Sequence, residues 1–120
     1  MKKVLTRAIL DVLGERIRQQ EGESWTLEHD DRHVGGALAR AAAAYALMSV
    51  GARTSALQVW PLTWAPHWLK PTSSRQDLVK AGALILAEIE RLDRAEGGCP
   101  SCGFEDCLCG ERSADGEVEA

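Results

Sequence analysis

Stretches with helical hydrophobic spacing alternate along the chain with stretches broken by Gly and Pro. Leu5, Ile9, Val12, Arg16 and Ile17 recur near the helical period, and Val4, Ala8 and Leu13 widen the stripe, so a helix is predicted from residue 3 to about residue 20. Arg7, Asp11, Glu15 and Arg18 line the opposite face, where Asp11, Glu15 and Arg18 are spaced for local ion pairs. Gly14 leaves room for another helix to approach, and Glu21-Gly22-Glu23-Ser24 ends the element. Thr26 can cap a short turn that holds Glu28 and His29. Asp30 or Asp31 caps again and opens a second helix reaching about Val50. Gly35 and Gly36 fall inside that predicted helix at a cost of roughly 1 kcal/mol each against Ala, which close packing there would offset. Its buried stripe is Leu38, Ala42, Tyr45 and Met48 or Ser49, and the small run Ala41–Ala44 permits tight helix contact.

Gly51 ends the second helix, and residues 51–72 form a long connection carrying VWPLTWAPHWLKP. Trp60, Trp64 and Trp68 are spaced as on a helix, but Pro61 and Pro66 forbid an unbroken one, so turns and short helical pieces are expected to wrap the rings over the bundle. The last helix is the clearest element. Ser74 caps it, Asp77 stands at the capping-box position, and Leu78, Gly82, Ile85, Ile89 and Leu92 form a seam for the other helices or for a second copy of the chain. Glu90 and Arg94 are spaced as an i,i+4 pair, and Gly97-Gly98 stops the helix. The expected fold is therefore all-α: a three-helix bundle over residues 1–97, with a Trp-rich crossover loop and a Cys-rich C-terminal tail. That tail divides into a four-cysteine loop at 98–110 and a disordered acidic end at 111–120.

Composition agrees with helix: Ala, Leu and Arg abound, while the chain holds one Phe and one Tyr beside four Trp. The formal charge of −4 is unevenly placed. Residues 1–98 carry 13 Lys and Arg against 12 Asp and Glu, whereas residues 99–120 carry one Arg and six acids. The body is thus near neutral without a basic face, which weighs against nucleic acid as a partner. No stretch approaches the roughly 18 apolar residues of a membrane span. The MKK start is followed by VLTRAIL, which Arg7 and Asp11 interrupt, so no signal peptide is expected and the cytoplasm is the expected compartment.

The candidate chemistry is densest at Trp25–His33, where Trp25, Glu28, His29, Asp30, Asp31 and His33 lie within nine residues. His29 and His33 would share one helical face and could hold a divalent metal with carboxylate help, in a loose likeness to the HExxH zinc helix that lacks its Glu and any evident third ligand. A polar helix start, with the acids favouring the positive helix end, is the simpler explanation of the same residues. Glu28, His29, Asp31 and His33 would be the catalytic set if the chain were an enzyme. All-α nucleotide pyrophosphohydrolases hold Mg²⁺ on carboxylates from two helices, and here Glu28-x-x-Asp31 could face Glu88 or the Glu90-x-x-Asp93 pair, although a Glu-x-x-Glu pair is missing. In the Trp loop, Trp60, Trp64 and Trp68 could stack on nucleobases, while Arg53, His67, Lys70 and Arg75 meet phosphates. The same residues could anchor a protein interface, or the rings could simply be core or lid. Cys99, Cys102, Cys107 and Cys109 lie within eleven residues, enough thiolates for one structural Zn²⁺, though the four-residue gap and the Cys-x-Cys second pair make that loop tight.

The motifs ER-x-RQ from Glu15, W-T-x-EHDD-x-H from Trp25, the Trp-Pro loop ending in KP, and DLVKAGALILAEIERLDR from Asp77 together resemble a family of small proteins encoded by tailed bacteriophages and prophages. The likeness runs from Glu15 to Arg94; the Cys-rich tail lies outside it, and Gly36 stands where the pattern has an acidic residue. The resemblance implies an accessory phage protein acting in the host cytoplasm on a host process such as antiviral defence. The residues themselves suggest a role without catalysis, by binding a host protein or sequestering a nucleotide-like ligand through Trp25, His29, Asp30, Asp31, His33, Trp60, Trp64, His67, Trp68 and Lys70. The seam on the last helix adds the expectation of a homo-oligomer.

Overall fold

The computed structural model describes residues 4–22 and 36–97. Among these residues it has four α-helices, one 3-10 turn and no strand: α1 (Arg7–Gly22), α2 (Ala37–Ser49), α3 (Arg53–Val59), the turn Pro66–Trp68 and α4 (Ser74–Ala95). The all-α class holds, and the crossover contributes a short helix of its own. The predicted helix starts shift for identifiable reasons. Thr6 Oγ1 accepts the N–H of Ile9 at 3.2 Å, so α1 begins after Thr6 rather than at residue 3. Gly36 sits at φ 82° as the cap of α2, outside the helix, so its lack of a Cβ serves a left-handed residue rather than a close helix contact. Ser73, not Ser74, caps α4 by accepting the Gln76 N–H at 3.1 Å. Asp77 turns instead to Thr72, whose N–H donates to Oδ1 at 2.8 Å, and this bond with the cap ties the incoming chain to the first turn of α4.

The core lies between α2 and α4. Ala41 and Ala44 of α2 and Ala83 and Ala87 of α4 are fully buried, and Leu38 and Leu84 are the largest side chains buried completely. Alanines at these positions let two helix backbones come close, and each buried Leu contributes on the order of 1.5–3 kcal/mol. The predicted stripe Leu38, Ala42 and Tyr45 is buried, with Met48 packed against it. α3 and the Trp segment close the open end of this pair: Ala56 and Trp60 join the core, and Val59, Trp64 and Leu69 pack on it.

α1 packs on α4 in another way. Asp11 accepts Arg75 Nη1 at 2.8 Å, the Val12 side chain lies over Gly82, and Glu90 accepts Arg16 Nη2 at 2.8 Å. Partners advance in the same sense on both helices, so α1 and α4 run parallel. A Cβ on Gly82 would stand 3.2 Å from Val12 Cγ2, whereas one on Gly14 would meet nothing within 4 Å; the close approach falls on Gly82, not on Gly14 as expected. The predicted apolar stripe of α1 is split: Val12 and Arg16 meet α4, while its larger aliphatic residues do not. Leu5, Ile9, Leu13 and Ile17 are exposed, and the side buried instead carries Glu15, Arg16 and Gln19. Likewise Leu78, Ile85, Ile89 and Leu92 of the α4 seam are 43–52 % exposed and stand outside the core. Among the described residues no helix is long and apolar enough to cross a membrane.

Candidate functional site

The Trp segment builds a ladder of rings that climbs from the core to the surface. Trp60 is held by α3, whose last turn runs into Pro61, and its indole N–H donates to the Ala65 carbonyl at 3.0 Å. Edge-to-face contacts join Tyr45 to Trp60 at 6.0 Å and Trp60 to Trp64 at 5.3 Å, and a tilted contact joins Trp64 to Trp68 at 6.3 Å. Pro66 starts the 3-10 turn that sets Trp68 on this line, and the His67 ring lies 6.3 Å from Trp68. Exposure rises along the ladder: Trp60 is buried and Trp68 is 52 % exposed. Each such ring pair contributes on the order of 0.5–1.5 kcal/mol beyond its buried area, so the outermost ring is supported from beneath rather than left loose.

The segment after the ladder is pinned as well. The Tyr45 hydroxyl accepts the Lys70 N–H at 3.0 Å. Lys80 Nζ donates to the Lys70 carbonyl at 2.8 Å and stands 5.3 Å over the Tyr45 ring. Beside Trp68, between the end of α2, α3 and this pinned segment, lies a cleft of about 140 Å³ lined by Met48, Arg53, Leu57, Pro66, His67, Leu69 and Pro71. Sequence reasoning singled out Arg53 and His67 but not the apolar floor. Met48 and Leu57 gave no signal because one reads as core of α2 and the other falls in the long connection 51–72.

Of the predicted binding residues, the structure gathers Trp60, Trp64, His67 and Trp68 in one ladder and brings Lys70 next to Tyr45. Trp60 is core, so the face open to a partner belongs to Trp68 and His67. Arg75, expected to meet phosphate, is engaged by Asp11. Trp25, Glu28, His29, Asp30, Asp31 and His33 lie outside the described residues, as do the four cysteines Cys99, Cys102, Cys107 and Cys109 and the boundaries drawn at 98–110 and 111–120. Among the described residues, no group of three or more His, Cys, Asp or Glu side chains is placed to hold a metal ion.

A second polar cluster lies on α1, in the ER-x-RQ motif. Glu15 is buried and grips Arg18 with both oxygens, at 2.9 and 2.7 Å. Arg16, also buried, donates through Nε and Nη2 to Glu90 Oε1 at 3.1 and 2.8 Å. Gln19 Nε2 reaches Glu15 at 3.4 Å, and its buried Oε1 has no hydrogen-bond partner among the described residues. Glu88 is taken up by Arg91 at 2.8 Å, so both α4 carboxylates proposed to face a metal already hold a guanidinium. Charged side chains buried at helix spacing carry a large desolvation cost, which partners and hydrogen bonds must offset. Their sequence signal is Arg16, a cation within a stripe otherwise read as apolar.

Compared with protein-family models, with curated proteins and with solved structures, the chain matches none of them.

Proposed function

We propose that the chain is a binding module that docks a partner protein on the Trp68 end of the aromatic ladder. The observation that carries this reading is the gradient itself: three rings and a tyrosine stack from the core outward and leave one supported Trp half-exposed beside a cleft with Arg53 and His67 at its edge. Trp and Arg beside a small apolar pocket is the composition of interface anchors. The size of the cleft favours a protein over a small molecule. About 140 Å³ accepts one side chain, whereas sites that enclose a ligand run to roughly 300–1,000 Å³.

The resemblance to small proteins of tailed phages and prophages supports an accessory role in the host cytoplasm, with a host protein such as a defence component as the target. Cys99, Cys102, Cys107 and Cys109 are proposed to bind one structural Zn²⁺. The test is reconstitution with a partner identified by cross-linking in host cells. Trp68→Ala is expected to weaken that complex by on the order of 30-fold, the loss of a hot-spot side chain, with helix content unchanged. Equal affinity of the variant would overturn the docking site.

A second reading rests on the buried polar face of α1. In sequence this face precedes Glu28, His29, Asp31 and His33, the catalytic set of a metal-dependent phosphohydrolase of the all-α nucleotide pyrophosphohydrolase type, although Glu15, Glu88 and Glu90 each already hold a guanidinium. Pyrophosphate release from nucleoside triphosphates with Mg²⁺, lost in Asp31→Asn, would establish it. A nucleotide bound without turnover would instead point to sequestration.

A further inference from the structure

We infer that the exposed apolar face shared by α1 and α4 binds a second copy of the chain, with the two copies antiparallel. On α1 the exposed residues are Ile9, Leu10, Leu13 and Ile17, extended by Leu5 ahead of the helix. On α4 they are Leu78, Ile85, Ile89 and Leu92. Each helix advances about 100° per residue, and the contacts Val12–Gly82 and Arg16–Glu90 fix how each is turned towards the other. With the two helices parallel, both apolar stripes then fall on the same side of the pair, turned away from α2. They form one continuous two-helix surface.

Each of these side chains is close to half exposed. Together they amount to several hundred Å² of aliphatic surface, as large as or larger than the biggest apolar patch of a typical monomer and approaching the roughly 800 Å² per partner that a stable interface buries. The chain's remaining segments carry few large apolar side chains to set against it. Residues 23–35 hold Trp25, Leu27 and Val34 as their only large apolar side chains, and residues 98–120 hold Phe104, Leu108 and Val118 beside the four cysteines. A second copy supplies the missing surface in full, because a two-fold interface sets the same patch against itself. Leu78, Ile85, Ile89 and Leu92 are spaced by seven, four and three residues, the spacing by which helices interdigitate.

Charge selects the orientation. Arg7 and Arg75 stand at the end where α1 and α4 begin and share one carboxylate, Asp11, which leaves that end net positive. Exposed Glu21, Asp93 and Glu96 stand at or just beyond the other ends, where they outnumber Arg94 of the last turn of α4. A parallel pairing would set like charges and like helix ends together, whereas an antiparallel one sets the arginines and positive helix ends against the acids and negative ends. The interface is then a four-helix layer with both Trp68 clefts left open on its outer sides, so the pairing is independent of the docking site proposed above.

Light scattering of the full chain at tens of micromolar is expected to give twice the 13.0 kDa chain mass. Ile85→Asp and Leu13→Asp are each expected to give a monomer with unchanged helix content, while Leu62→Asp, at a fully exposed position away from the face, leaves the dimer intact. In chains with the tail cysteines replaced by Ser, Leu78→Cys mixed with Leu92→Cys is expected to form a mixed disulfide under mild oxidation, with little self-pairing of either. A wild-type monomer, which needs no variant to fold, overturns the inference. So does a dimer that survives both Asp substitutions, and efficient self-pairing of Leu78→Cys overturns the antiparallel arrangement.

Discussion

α4 is gripped on two sides by helices that use opposite chemistry. Against α2 it presents Ala83, Leu84 and Ala87, closed over by Leu38, Ala41 and Ala44, with exposures of 0–2 %. Against α1 it presents Arg75, Gly82 and Glu90, met by Asp11, Val12 and Arg16, while Ile9, Leu13 and Ile17 of α1 and Leu78, Ile85 and Ile89 of α4 are exposed. The first seam is a core in the usual sense, held by area removed from water. The second is a polar seam beside an exposed apolar surface. A hydrophobic stripe at helical spacing therefore marks the apolar face of a helix, but not which face packs within its own chain.

Substitutions in the two seams should separate them by size of effect. In the Ile85→Asp monomer, Leu84→Ala is expected to destabilise by about 2–5 kcal/mol in urea unfolding, the range for a buried Leu that leaves a cavity. Leu13→Ala in the same background should shift stability by less than about 0.5 kcal/mol, as at an exposed position. Comparable losses at the two sites would erase the distinction.

The polar seam has its own signature. Arg16→Ala strands Glu90 and removes a buried guanidinium, so a loss of about 1–3 kcal/mol is expected, below the full cost of breaking a buried pair because the Glu90 side chain is 35 % exposed. Arg16→Met with Glu90→Gln should recover most of that loss. A double variant no more stable than Arg16→Ala alone would mean that the pair holds more than the two helices.

Gly82→Ala gives the smallest effect. Helix propensity favours Ala by about 1 kcal/mol, but the added Cβ meets Val12 at 3.2 Å, so the net change should lie near zero. With Val12→Ala in place, the same substitution should stabilise by close to the full propensity gain. A gain of that size with Val12 intact would show that α1 does not press on Gly82.

Much of the helical layout was legible from local rules. The stripe Leu38, Ala42, Tyr45, the stop at Gly51 and the short pieces around Pro61 and Pro66 all follow from spacing and backbone chemistry, and the structure has them. Less legible was anything that depends on which face meets which. Arg16 reads as one more position in an apolar stripe until Glu90, far along the chain, is seen to accept its guanidinium. The choice between Ser73 and Ser74 as cap turns on Thr72 bonding Asp77, which periodicity does not register. Of the candidate site, the sequence pointed to the Trp residues and His67 as types, but not to the ordering that buries Trp60 and exposes Trp68. That ordering comes from the indole N–H of Trp60 finding the Ala65 carbonyl. The cleft floor at Met48 and Leu69 arises only from the way the 66–71 segment is tied back to Tyr45 and Lys80.

The inverted seam is tested most directly by hydroxyl-radical footprinting of the full wild-type chain and of Ile85→Asp, read at the aliphatic residues of α1, α2 and α4. Ile9, Leu13, Ile17 and Ile89 should be protected in the wild type and strongly labelled in Ile85→Asp, while Leu38 and Leu84 stay protected in both. Labelling of Leu38 and Leu84 as strong as that of the α1 stripe, or a stripe equally protected in the two chains, would contradict an apolar face turned outward to meet its own copy.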